Sequence, residues 1–220
     1  MSFWKDKTVL VTGGYGFVGV HVVKMLKQKK CKVVHVPSKY DYNCTIEREV
    51  DLMFQHLKPD VVIHLAGKVG GIAANKSEPG TFFYDNIMMG TLVLEYARRH
   101  NVNKIVALAA GCGYPLDLDV PYSENDFWSG LPQEESIGYS MAKKMLIIKQ
   151  NNKPLVEVWG TGAATREFLY VEDTAQAILD VVEKFDHSGP LNLGTGVETS
   201  IKELVETIVD LIGYEGHVVW

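Results

Sequence analysis

Residues 8–19 read TVLVTGGYGFVG, a β-branched run that opens directly onto glycines and then places Val18, Val22, Met25 and Leu26 at helical spacing. Strand, turn and helix in immediate succession form the entry to a βαβ unit, and the glycine positions give the turn a chemistry. Gly13 permits the tight bend, Gly16 lets the backbone approach a pyrophosphate, and Gly19 lets the helix pack closely on the strand. The helix amino terminus adds free N–H groups and the positive end of its dipole. A plain tight turn is the bland alternative; the strand-turn-helix context favours a dinucleotide held by Gly13, Gly16, Phe17, Val18 and Gly19.

The rest of the chain repeats the alternation. Apolar runs at 32–36, 60–65 and 104–109 read as further strands, and a helical pattern spans about 81–100. Strands alternating with helices predict a doubly wound α/β fold of Rossmann type with a parallel sheet. Further on the pattern predicts a helix over 137–150, strands at 156–159, 167–171 and 191–193, and helices over 172–185 and 200–212. The polar cluster at 151–154 suggests a boundary: a nucleotide-binding domain over 1–150 and a smaller substrate-binding region over 151–220, with 172–195 returning to the sheet.

Composition excludes several function classes. Among 220 residues, 22 Lys+Arg face 27 Asp+Glu for a net charge of −5, with no basic block, which argues against nucleic acid or an anionic membrane as partner. No apolar run approaches the roughly 18 residues of a membrane span, and little chain precedes the first strand, so a cytoplasmic location is expected. Three cysteines, Cys31, Cys44 and Cys112, lack metal spacing and do not suggest a disulfide framework.

The identity of the dinucleotide turns on the end of the second strand, Val36-Pro37-Ser38-Lys39-Tyr40-Asp41. Ser38 and Lys39 offer a donor and a cation to a 2′-phosphate, and no carboxylate precedes Asp41, so NADP(H) is favoured over NAD. The argument weakens if Asp41 folds back over the ribose. Tyr139 and Lys143 stand four residues apart on one helix face. An ammonium beside a phenol is expected to lower its pKa, which suits proton exchange with a carbonyl oxygen during hydride transfer.

Taken together, GGYGFVG at 13–19, HLAGKVGGI at 64–72, CGYP at 112–115, YSMAK at 139–143 and WGTGAATREFLYVEDTA at 159–175 resemble the extended short-chain dehydrogenase/reductases. Within these, the chain is similar to the GDP-L-fucose synthase family of GDP-4-keto-6-deoxymannose 3,5-epimerase-reductases. The resemblance implies that NADPH reduces the C4 ketone, Tyr139 donates the proton, Lys143 binds the nicotinamide ribose, and Cys112 exchanges protons beside the ketone. It implies cofactor contacts at Leu65, Ala66 and Gly67. Substrate contacts are implied at Lys68, Gly70, Gly71, Asn86, Trp159 and Arg166, with Trp159 stacking on the nucleotide and Arg166 pairing with its diphosphate. The bland alternatives are a helix-surface amide for Asn86 and an ion pair with Glu167 or Glu172 for Arg166.

Two departures from that family stand out. Ala110 replaces the Ser or Thr expected two residues before the cysteine, whose hydroxyl would polarise the substrate oxygen. Roughly 45 family residues, carrying a further sheet strand and a catalytic histidine, have no counterpart between Gln150 and Asn151, whereas a doubly wound sheet expects that strand. The expectation is that these 220 residues are not the whole natural protein; a genuine deletion would leave a crippled enzyme. None of the seven histidines fills the role, and only His64 lies by the cofactor edge.

Excess apolar residues on the 81–100 helix and on the tyrosine-lysine helix predict a homodimer. Two competing readings remain: an NAD-dependent nucleotide-sugar 4-epimerase or dehydratase, and a non-catalytic dinucleotide-binding relative.

Overall fold

A computed structural model of the chain describes residues 3–115, 118, 122–151, 165–186, 189–200, 207 and 211. Strand β1 (Thr8–Thr12) is followed by α1 (Phe17–Gln28), β2 (Val33–His35), α2 (Glu47–Leu57) and β3 (Val61–His64). Next come α3 (Ile72–Ser77), α4 (Pro79–Arg99), β4 (Lys104–Ala107) and α5 (Ile137–Asn151). The four strands form one parallel sheet in the order β2-β1-β3-β4, with Val9 opposite both Val34 and Val61, and Ile63 opposite Val106. This is the expected doubly wound sheet, and its carboxyl edge gathers the ends of β1, β3 and β4.

Alternation along each strand divides the core in two. Val9, Val11, Val61 and Ile63 face α1 and α6 (Val171–Lys184), meeting Val22, Leu26, Ala175, Ile178, Leu179 and Val182. Leu10 and Val62 face α2 and α4, meeting Val50, Met53, Phe54, Leu92, Val93, Tyr96 and Ala97. Helix α6 thus packs on the same face of the sheet as α1. Strand β3 is wholly buried, whereas all four residues of β4 are half-buried, and among the described residues nothing pairs with its outer edge.

Two expectations fail. The strand expected at 167–171 is instead β5 (Thr165–Glu167), and α6 begins at Val171; β5 pairs antiparallel with β6 (Glu198–Ser200) outside the main sheet. Residues 191–193 form no strand: the Asn192 N–H donates to Glu124 Oε1 at 2.8 Å and its side chain bonds Tyr122 and Tyr114, so the central donor of the segment is withdrawn from any ladder. The strand expected at 156–159 and most of the 200–212 helix lie outside the described residues. Among the described residues no helix is long and apolar enough to cross a membrane.

Part of the apolar excess on α4 is accounted for by α5. A methyl group at Gly90 would fall 2.2 Å from Leu146 Cδ2, so the two helices meet there without room for a side chain. Phe83 and Tyr84 of α4 remain exposed.

Candidate active site

The turn after β1 is built as its glycines require. Gly13 adopts φ +70°, and a Cβ on it would lie 2.6 Å from the Ala66 backbone nitrogen, so the end of β1 touches the end of β3. A Cβ at Gly19 would sit 2.2 Å from the Gly13 carbonyl oxygen, which makes helix and turn inseparable at that point. Helix α1 starts at Gly16 with no side-chain cap and no acidic residue in its first turn. Its first N–H groups and positive dipole end are thus neither capped by a side chain nor neutralised by an acid of the helix's own first turn, a cradle that fits a diphosphate. Phe17 is exposed and Val18 half-buried at this mouth.

Beyond β2 the chain makes a tight turn organised by Asp41. Its Oδ2 accepts from the Ser38 N–H at 2.8 Å and from the Ser38 hydroxyl at 2.7 Å, which holds the carboxyl below its ordinary value. Ser38 therefore spends its proton on Asp41. Lys39 is exposed, its ammonium 5.3 Å from the Tyr40 ring centre, and remains the cation on offer there.

The carboxyl ends of β3 and β4 converge on α5. Leu65, Ala66 and Gly67 are half-buried at the sheet edge, and a Cβ on Gly67 would approach Lys143 Nζ to 3.3 Å and Asn86 Oδ1 to 3.1 Å. Lys143 is 4% exposed, and its Nζ donates to the Leu108 carbonyl at 3.2 Å and the Ala66 carbonyl at 3.5 Å. Burial pulls its pKa down to about 8, with the Cys112 sulfur opposing. Nζ lies 6.0 Å from the centre of the Tyr139 ring.

The expected acidification of Tyr139 does not occur. Burial, reinforced by Cys112, pushes the phenol up to about 12, and the Lys143 ammonium is turned toward the Leu108 carbonyl oxygen. Tyr139 is thus a phenol that keeps its proton at neutral pH. Cys112 sits in a 3₁₀ turn, Gly111–Gly113, directly after β4, where Ala110 is extended and offers no hydroxyl.

Asn86 is buried rather than a helix-surface amide. Its Oδ1 accepts from the Lys68 N–H at 3.0 Å, and its Nδ2 donates to the Lys68 carbonyl at 2.9 Å and the Phe82 carbonyl at 2.8 Å. It clamps the backbone at the start of the loop through Gly70 and Gly71, both exposed. The Lys68 ammonium lies 3.3 Å from Glu78 and 5.1 Å from the Phe82 ring centre. Trp159 lies outside the described residues; Arg166 stands in β5, away from the main sheet. Glu172 is engaged by Lys24 at 3.3 Å.

Two features of the site were not legible from spacing. Ser140 is fully buried and donates to Cys112 Sγ at 3.1 Å. Thr12 and His64 form a buried pair under the cofactor edge, Oγ1 to Nδ1 2.7 Å. The only signal for Ser140 was its place beside Tyr139.

A glycine turn on a helix amino terminus, next to a half-buried tyrosine and a buried lysine at the carboxyl edge of a parallel sheet, defines a Rossmann-type dinucleotide-binding protein. The model of the NAD dependent epimerase/dehydratase family matches residues 9–148 and 141–194, and the chain belongs to that family. GDP-L-colitose synthase of Yersinia pseudotuberculosis is 27% identical over 96% of this chain and 84% of its own length. A probable GDP-L-fucose synthase of Oryza sativa subsp. japonica is 30% identical over 100% of this chain and 82% of its own. Among solved structures, a GDP-mannoheptose C4 reductase from Campylobacter jejuni with NADP bound superposes with a TM-score of 0.87 at 21% identity, covering 97% of this chain and 86% of that one. The rice alignment spans 268 positions against 220 residues here, so at least 48 positions of the aligned region are filled by the relative alone.

Proposed function

We propose that the chain is an NADP(H)-dependent reductase of a GDP-linked 4-keto-6-deoxy sugar, with proton exchange at the carbons beside the ketone assigned to Cys112. The observation that carries this reading is the grouping of Tyr139, Lys143 and Cys112 at the sheet edge that also bears the glycine turn. Relatives named as GDP-sugar synthases, matched over nearly the whole chain, support the substrate class.

Gly13, Gly16, Phe17, Val18 and Gly19 would hold the diphosphate, Ser38 and Lys39 the adenosine end, and Leu65, Ala66 and Gly67 the nicotinamide side. Bound there, the cofactor supplies a hydride to the C4 carbonyl. Tyr139, protonated up to about pH 12, is an acid ready to give its proton to the ketone oxygen as negative charge develops on it. Lys143, anchored by two carbonyl oxygens, keeps a cation beside that event and offers its remaining donor to the ribose. Asn86 fixes the backbone of the 68–71 loop, and Lys68, Gly70, Gly71, Trp159 and Arg166 are assigned to the nucleotide sugar. A pair of chains joined through α4 and α5, operating in the cytoplasm, completes the reading.

The family model breaks within α5, and we place the unmatched positions of the relatives between Gln150 and Asn151; among the described residues the outer edge of β4 has no partner strand, which leaves room in the sheet for one. A second reading, a dinucleotide-binding protein without catalysis, draws support from Ala110 and from this shortfall. Incubation with NADPH and GDP-4-keto-6-deoxymannose separates the readings. Net consumption of NADPH with a reduced GDP-sugar product is the expected result. Redox-neutral interconversion with tightly held NAD would indicate the epimerase class, and NADPH binding without turnover the non-catalytic relative.

A further inference from the structure

One buried hydroxyl in the site has no part in hydride or cofactor chemistry. Ser140 follows Tyr139 on α5, is 0% exposed, and directs its proton to Cys112 Sγ at 3.1 Å. The Ser136 and Ser140 hydroxyl oxygens lie 3.0 Å apart. A hydroxyl has a single proton, and that of Ser140 is committed to the sulfur, so Ser136 must be the donor in the serine pair. The two form a directed chain, Ser136 to Ser140 to sulfur, in which each donation polarises the next.

The turn bearing the thiol is fixed against this chain. The Gly113 N–H donates to the Ala110 carbonyl at 2.9 Å, and a Cβ at Gly113 would meet the Phe127 ring at 3.0 Å and the Ser140 carbonyl at 4.0 Å. The Tyr114 hydroxyl is held by Asn192 at 2.7 Å. The sulfur thus has a set distance to the serine.

From this geometry we infer that Ser140 is a positioning residue for Cys112, which holds the sulfur toward Tyr139 and favours its thiolate, with Ser136 reinforcing the donation. Hydrogen bonds to an ionised acceptor are roughly twice as strong as neutral ones, so a fixed donor stabilises thiolate more than thiol. When the thiolate takes a proton from a sugar carbon it becomes a thiol, and when it returns the proton it becomes a thiolate again; Ser140 keeps its own proton in both states. The catalytic consequence rests on the proposed function, but the thiol chemistry can be measured without any sugar.

The test is iodoacetamide alkylation of Cys112 across pH, followed by peptide mass spectrometry, in the wild type, Ser140→Ala and Ser136→Ala. Cys44 and Cys31 serve as internal references, since burial pushes Cys44 up to about 11 and raises Cys31. Ser140→Ala is expected to move the Cys112 profile to higher pH and to slow alkylation near neutrality about tenfold, with NADPH affinity retained. Ser136→Ala is expected to move it in the same direction by less. An unchanged profile in Ser140→Ala with NADPH still bound overturns the inference. If Ser140→Ala does not fold, an unchanged profile in Ser136→Ala does so. A shifted profile in a chain that turns over no keto-sugar would defeat the proposed function and leave this assignment standing.

Discussion

The Thr12 hydroxyl and His64 Nδ1 lie 2.7 Å apart in the floor of the site, both residues at most 2% exposed, joining the carboxyl end of β1 to that of β3. Burial, with a smaller contribution from the Lys143 charge, holds His64 down to about 3, so the ring is neutral throughout the physiological range. A ring so held exchanges no proton near neutral pH.

That neutrality has a stability signature. The unfolded chain protonates His64 near its ordinary value of 6.5, while the folded chain resists until about pH 3. Between these values the unfolded state binds more protons, so stability is full above 6.5 and declines as pH falls through the window, by up to a few kcal/mol. Thermal denaturation at successive pH values should show a shallower decline for His64→Gln, which keeps a partner for Thr12 and does not titrate. Parallel wild-type and variant curves would contradict the assignment.

The glycine turn predicts a contrast between two alanines. Gly13→Ala must place a methyl group against the Ala66 backbone at φ +70°, whereas a Cβ at Gly71 meets nothing within 4 Å. By fluorescence titration, Gly13→Ala should lose NADPH affinity by about a hundredfold or more, since both strain and overpacking act at the phosphate site. Gly71→Ala should stay within about twofold, an ordinary surface effect.

Asp41 sets a carboxylate beside the residues assigned to the 2′-phosphate. Asp41→Ala frees the Ser38 hydroxyl and removes a negative charge, so NADPH should bind a few-fold tighter while NADH changes little, the small effect expected of a solvent-screened surface group. Lys39→Ala should weaken NADPH selectively. Equal changes for both cofactors would place the 2′-position elsewhere.

Ala110 is extended, half-buried, and precedes the turn of Cys112. A serine there can cap that turn or reach the substrate oxygen, and a polarising donor is typically worth about 3 kcal/mol. Turnover of Ala110→Ser should therefore equal or exceed that of the wild type. A tenfold loss would show that the substrate oxygen lies elsewhere.

Features set by near-neighbour chemistry were legible in the sequence: the turn at 13–19, whose glycines are enforced by backbone contacts, and the Tyr139–Lys143 pair, fixed by helical periodicity. Features set by the approach of distant segments were not. The bond from Ser140 to Cys112 exists because the 111–113 turn is pressed onto α5, and Tyr139 rises rather than falls in pKa because burial dominates. The expected strand at 191–193 fails for a similar reason, its Asn192 donor being captured by Glu124 from 68 positions away. Helix α2, to which the sequence reading assigned no element, buries Val50, Met53 and Phe54 on one face amid charged neighbours.

The convergence of Tyr139 and Cys112 on one sugar ring is tested most directly by supplying GDP-4-keto-6-deoxymannose and NADPH in deuterated water. The wild type should consume NADPH and incorporate deuterium beside the ketone. Tyr139→Phe should reduce at least a thousandfold more slowly while still exchanging, and Cys112→Ser should lose exchange. Reduction by Tyr139→Phe at the wild-type rate, or exchange undiminished in Cys112→Ser, would contradict the account.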